Sequence, residues 1–166
     1  LAVLGTLVLA ASWSRLPETH ANHGNPANST GLVQGALRLF AIPRFVTYAM
    51  TLSFTSAVFF SFLGGAPHIM VDVLKRTPME YGLWFMAVSS GYMLGNFLSG
   101  RFTQRVGIDR MMLYGCAITV LGGMLCLGSA ISGFLAPATL FVPMAFAALG
   151  NGLTIPNGTA GAISVD

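Results

Sequence analysis

The chain alternates long apolar stretches with short polar connectors, and the apolar stretches have the length of membrane helices. Neither Tyr81–Gly100 nor Met111–Val165 contains an Asp, Glu, Lys or Arg. A helix needs about 20 apolar residues to cross a bilayer, and the longer stretch holds two such segments separated by the turn Ser132-Gly133-Phe134-Leu135-Ala136. The pattern predicts an all-α, polytopic transmembrane helix bundle. Its segments are 1–14, 43–65, 78–100, 111–131 and 137–160, joined by connectors at 15–42, 66–77, 101–110 and 132–136.

Local signals set these boundaries. Pro43 and Pro137 suit the first helical position, where the missing N–H is not needed. Gly64-Gly65-Ala66-Pro67 is expected to stop the second segment. Thr77-Pro78-Met79-Glu80 reads as a capping box, with Thr77 at N-cap and Glu80 at N3. Between the first two segments lies a polar loop, and within it Gly31–Ala41 is predicted to form a short amphipathic helix. The opening run 1–14 has no initiating Met, no charged n-region and too little length to span alone. It is expected to begin partway through a helix, as a piece of a longer protein.

Composition agrees, with 54% hydrophobic and 8% charged residues and a mean hydropathy of +0.73. The formal net charge of +3 does not indicate nucleic-acid binding, because the basic residues sit at the ends of apolar runs. Arg15, Arg38, Arg44, Arg101, Arg105 and Arg110 fall on one side of the expected topology, and Lys75 and Arg76 on the other. The positive-inside rule places the first group in the cytoplasm. Cys116 and Cys126 lie in one apolar run, about 15 Å apart along a helix, and are expected to be unpaired core residues.

Two kinds of pattern mark faces of these helices. Ala87, Gly91, Gly95 and Ser99 recur every four residues, as do Gly115, Thr119 and Gly123, which predicts a close-packed pair of helices meeting through small side chains. In the last segment Asn151, Thr154 and Asn157 cover a polar arc of roughly 120°, and Pro156 removes the helical partner of the Gly152 carbonyl. Such an arc belongs against protein or water, either as the wall of a cavity or as a buried structural amide pair. Tyr48, Tyr92 and Trp84 are further candidates for cavity walls. No catalytic constellation is present: His20 and His23 sit in a polar loop without ligand support, His68 stands at a membrane edge, and no metal or cofactor is implied. Asn28-Ser29-Thr30 matches a glycosylation sequon by chance on the expected cytoplasmic side.

The connector Gly100-Arg-Phe-Thr-Gln-Arg-Val-Gly-Ile-Asp-Arg110 resembles the loop signature of the major facilitator superfamily, matching it at Gly100, Arg105, Gly107 and Arg110. Gln104 replaces the acid of that signature and Asp109 a base. Leu16-Pro17-Glu18-Thr19, Gly65-Ala66-Pro67 with Thr77-Pro78-x-x-Tyr81-Gly82-x-x-Phe85, and Gly150-Asn151-Gly152-x-x-Ile155-Pro156-Asn157-x-x-Ala160 resemble blocks of the Bcr/CflA drug-resistance transporters, in family order. The resemblance implies a C-terminal-half fragment of a twelve-helix transporter, from the end of helix 6 to helix 10, in the bacterial inner membrane. It implies proton-coupled efflux of drugs or small metabolites by alternating access, with the proton coupled through the missing N-terminal half. Gly100, Arg105, Gly107 and Arg110 would form a gating turn, and Asn151, Asn157, Thr154, Tyr92 and Tyr48 are the candidate cavity residues. The fragment alone would not transport. A non-transporting polytopic protein, such as an assembly subunit or a membrane enzyme with its site elsewhere, remains the alternative.

Overall fold

The computed structural model describes Gly5, Thr6, Leu9 and Ser12, which are helical, and residues 32–164. The expectations for the rest of the opening segment, for Leu16–Thr19, for His20 and His23, and for the sequon lie outside the described residues. The chain folds as two compact units, Leu1–Leu37 and Arg38–Asp166. Every described element is helical: α1 Leu32–Phe40, α2 Pro43–His68 running on into a π-helical turn Ile69–Val73, α3 Pro78–Val106, α4 Ile108–Ile131 and α5 Pro137–Ile163. The protein is an all-α bundle. Three of its helices, Pro43–Val73, Ile108–Ile131 and Pro137–Ile163, are long and apolar enough to cross a membrane. α3 has the length but is less apolar, carrying Ser89, Ser90, Asn96 and Ser99.

Helix starts follow the local signals. Pro43, Pro78 and Pro137 each open a helix, and the Thr77 hydroxyl accepts the Glu80 N–H at 3.2 Å. The Glu80 carboxylate, expected to complete the capping box, instead faces Arg76 at 3.9 Å. Helix ends follow packing. α2 does not stop at Gly64–Pro67, because Ala66 and Met70 are fully buried in a cluster with Val88, Leu140, Phe141 and Met144. Phe62 and Tyr81 meet the Phe141 ring edge to face and Trp84 meets it tilted, at centroid distances of 5.4, 5.8 and 6.2 Å. The helix absorbs Pro67 by widening into the π turn, where Leu74 N–H reaches the Ile69 carbonyl and Arg76 N–H the Met70 carbonyl, both at 2.9 Å. Lys75, at φ 53°, then reverses the chain.

The basic connector is likewise more helical than expected. α3 continues through Arg101–Val106, and Gly107 alone interrupts it, with φ 92° and ψ 151°. A Cβ at Gly107 would meet nothing within 4 Å, so the requirement for glycine is conformational. The side chains of this turn, Arg101, Arg105 and Arg110, are exposed.

The centre of the bundle is α5, and here the structure departs from the expected helix pair. The two small-residue stripes do not meet each other; each packs against α5. A Cβ on Gly91 or Gly95 of α3 would overlap the carbonyls of Ala145 and Leu149. From the other side, a Cβ on Gly115 of α4 would lie 2.7 Å from the Gly150 carbonyl. Thr119 is buried and donates to the Ala147 carbonyl at 3.3 Å. The third member of the α4 stripe is Gly122, whose Cβ would stand 2.6 Å from the Pro143 carbonyl; Gly123 has only Val58 nearby, at 3.9 Å. Large apolar side chains such as Met93, Phe97, Leu113, Leu125 and Phe54 point outward, as lipid requires.

Gly122→Ala is therefore expected to lower the thermal stability of the full-length protein in detergent by about 1–3 kcal/mol, the usual cost of overpacking. Gly123→Ala should leave it within about 0.5 kcal/mol. Equal melting temperatures for the two variants would contradict this packing.

Candidate functional site

The polar arc of α5 divides between different neighbours. Thr154 is fully buried; its hydroxyl donates to the Gly150 carbonyl at 2.9 Å and lies 3.9 Å from the Cys116 thiol of α4. Asn157 is held on every side. Its amide donates to Ser99 Oγ at 2.8 Å and to the Leu153 carbonyl at 2.7 Å, while its Oδ1 accepts from Thr103 Oγ1 at 2.9 Å. This cluster ties α5 to the last turns of α3, next to the Gly107 joint.

Asn151 is different. It is 1% exposed, and neither its Nδ2 nor its Oδ1 has a hydrogen-bond partner among the described residues. An orphaned buried amide costs about 1–3 kcal/mol per group. The residue lines a cavity of about 300 Å³ together with Ser56, Phe59, Phe60, Tyr92 and Ile155, so the cavity is walled by α2, α3 and α5. Of the candidate cavity residues, Asn151 and Tyr92 are brought together here, and Thr154 and Asn157 lie outside its lining. Ser56, Phe59 and Phe60 were not singled out from the sequence. Three aromatic rings, two hydroxyls (Ser56 and Tyr92) and one amide, with no charged side chain among the described residues, form a lining suited to an uncharged or weakly polar organic molecule.

A larger groove, about 520 Å³, runs between α2 and α4 past Met50, Phe54, Val58 and Val120. Its polar groups are already engaged: Thr47, Thr51 and Thr55 donate to the carbonyls of Pro43, Thr47 and Thr51 at 2.9, 2.8 and 2.7 Å. These hydroxyls leave no unsatisfied donor for a ligand, and the smaller cavity is the better site on chemical grounds.

Tyr48 occupies neither space. Its ring packs against Gly161, and its hydroxyl donates to Asp109 Oδ1. Arg44 closes a triad, 3.3 Å from the Tyr48 hydroxyl and 3.5 Å from Asp109 Oδ2. The base of α2 is thus joined to the first turn of α4, immediately after Gly107. Asp109 also stands where a carboxylate favours the helix dipole. The basic turn makes its contact to α2 through the acid that departs from the family signature. At the opposite end His68 Nδ1 lies 2.7 Å from Asp72 Oδ2, one helical turn on, with both side chains exposed. The described residues contain no group of three potential metal ligands. Both cysteines are free, and the Cys126 thiol donates to the Leu140 carbonyl at 3.3 Å.

Comparison with known proteins gives the same class as the sequence blocks. Multidrug transporter MdfA of Yersinia pestis is 24% identical over 130 residues, covering 78% of this chain and 32% of its own length. A bicyclomycin resistance protein homolog of Haemophilus influenzae is 24% identical over 125 residues, covering 75% of this chain and 31% of its own. Chloramphenicol resistance protein CraA of Acinetobacter baumannii is 26% identical over 118 residues, covering 70% and 28%. The chain therefore spans about a third of the length of the curated relatives it matches. No protein-family model matches it, and no solved structure does. The relatives bear out the family resemblance, and they are transporters and resistance proteins rather than enzymes.

The two amides are expected to respond oppositely to removal. Asn157→Leu leaves the Ser99 and Thr103 hydroxyls only their long mutual contact of 3.4 Å and should cost about 1–3 kcal/mol. Asn151→Leu removes two orphaned groups and should be neutral or stabilising. Thermal unfolding of the full-length variants in detergent checks the contrast; a larger loss at Asn151 would show that its amide is bonded in the whole protein.

Proposed function

We propose that the full-length protein, a drug-resistance transporter of the major facilitator superfamily, exports drugs or small metabolites across the bacterial inner membrane. The observation that carries this reading is the aromatic cavity beneath Tyr92 with the unsatisfied Asn151 amide in its wall. A cavity of that character supplies apolar contact area with a polar anchoring point, as an exporter of amphipathic compounds needs. The relatives, named for multidrug transport and for resistance to bicyclomycin and chloramphenicol, support the same substrate class.

In this reading α3, α4 and α5 move as one body. Their contacts run backbone against backbone, which leaves little freedom for sliding, and alternating access then rocks this body against the remainder of the transporter. The triad Arg44–Tyr48–Asp109 beside Gly107 is the element at the cytoplasmic end that would tie α2 to that body in one state. Export is driven by the proton gradient, with the titrating group in the other half. The described spans contribute no carboxylate at depth, only Asp109 and Glu80 in first turns and Asp72 near an end.

The test is resistance. Expressed in a drug-hypersensitive bacterium, the full-length protein should raise the inhibitory concentration of at least one amphipathic antibiotic, and dissipating the proton gradient should abolish accumulation-based efflux. Unchanged sensitivity to a broad drug panel, at confirmed membrane abundance, would reject the reading. Orientation is checked separately on a background lacking Cys116 and Cys126. Lys75→Cys should react with an impermeant thiol reagent in intact cells and Gln104→Cys should not; labelling at position 104 would invert the topology.

A further inference from the structure

We infer that Asn151 is a specificity-determining residue that selects ligands carrying an uncharged carboxamide-type edge, a donor and an acceptor side by side, on an aromatic body. The inference rests on the efflux reading and adds the chemistry of recognition to it. A primary amide side chain offers one donor group and one acceptor in a plane, and its best complement is another amide presented in reverse. Both of these atoms are buried and without partners among the described residues, while the other polar side chains of the α5 arc are satisfied. Among the described residues the cost of an unpaired buried amide is borne at this position alone, and the position lines a cavity.

The rest of the lining determines which amide bearers fit. Phe59, Phe60 and Tyr92 give the cavity flat aromatic walls, and Ser56 adds one hydroxyl. Among the described residues no carboxylate lines it, so an organic cation would find ring faces but no ion-pair partner on this side to offset its lost hydration. A neutral amide loses little on entering, because it exchanges water for Asn151. The amide is covered in this structure, and two of the cavity's side chains are open on their outer sides: Phe60 is 66% and Tyr92 38% exposed. Recognition requires these side chains to rotate and uncover Asn151, with the backbone of α5 staying where Gly152 seats it closely against α3.

The experiment compares two matched probes on the purified full-length transporter: an aromatic primary carboxamide and the corresponding methyl ester, which keeps the acceptor and lacks the N–H. Affinities are measured by quenching of intrinsic tryptophan fluorescence, and efflux is followed in proteoliposomes with an imposed proton gradient. Wild type should bind the carboxamide more tightly than the ester. Asn151→Ala, which removes the amide without overlap, should shrink that ratio about tenfold, as expected when a hydrogen-bonding site loses its partner. Asn151→Leu, which keeps the branched four-atom skeleton of the side chain, provides a second variant. A ratio unchanged in both variants, whether both affinities fall together or neither falls, overturns the inference and leaves efflux intact. If wild type exports neither these probes nor any antibiotic of the panel, the efflux reading itself fails, and the inference falls with it.

Discussion

Two helices in lipid gain nothing by hiding leucines from water, so what holds this bundle together is how closely backbones can approach. α5 is the place where that approach happens twice. Gly91 and Gly95 admit its Ala145 and Leu149 carbonyls on one side, and Gly115 and Gly122 admit Gly150 and Pro143 carbonyls on the other. Most positions of α5 between Leu140 and Gly161 are buried as a result. The outward display of Met, Phe and Leu on α3 and α4 follows from the same constraint, since their small residues are spent on the inner face.

Much of this was legible in the chain. Proline at the first helical positions, threonine before Pro78 and glycine at 107 act through one or two residues of backbone, and the structure places each where the local chemistry indicates. What was hidden depends on partners. A spacing of four residues identifies small-residue stripes but does not say which helix they face. α5 has small or narrow residues on two sides, and it takes both stripes. The stripe on α4 also advances by three residues after Thr119, because a straight helix completes a turn in 3.6 residues, so Gly122 and not Gly123 reaches the contact. The persistence of α2 beyond Pro67 was equally invisible, since it comes from the burial of Ala66 and Met70 beneath Phe141.

The candidate site shows the same division. That Asn151, Thr154 and Asn157 share an arc is a property of helical periodicity. That Asn157 is fully bonded while Asn151 is bare depends on Ser99 and Thr103 lying at the right depth of α3. Tyr48, grouped with Tyr92 as an aromatic, differs from it in use. Its hydroxyl meets Asp109, a residue distant in sequence, while Tyr92 stands at the cavity.

The contacts of α5 also change in kind along its length. As far as Gly152 its glycines sit mainly against main-chain atoms of α3 and α4, with the Thr119 hydroxyl also against Gly150. Beyond Pro156 they sit against side-chain tips, Leu52 for Gly158 and the Tyr48 ring for Gly161. Main-chain contacts have no rotamers to adjust, whereas a leucine branch or a phenol ring can reorient. Pro156 marks the crossover and has no N–H to brace the turn behind it. The helix is therefore seated on backbone up to Gly152, pinned to α3 by Asn157, and rests on adjustable side chains at Gly158 and Gly161, the last against the tyrosine that holds Asp109. A side chain added at Gly158 or Gly161 therefore meets atoms that can give way, whereas one added at Gly150 or Gly152 meets backbone that cannot.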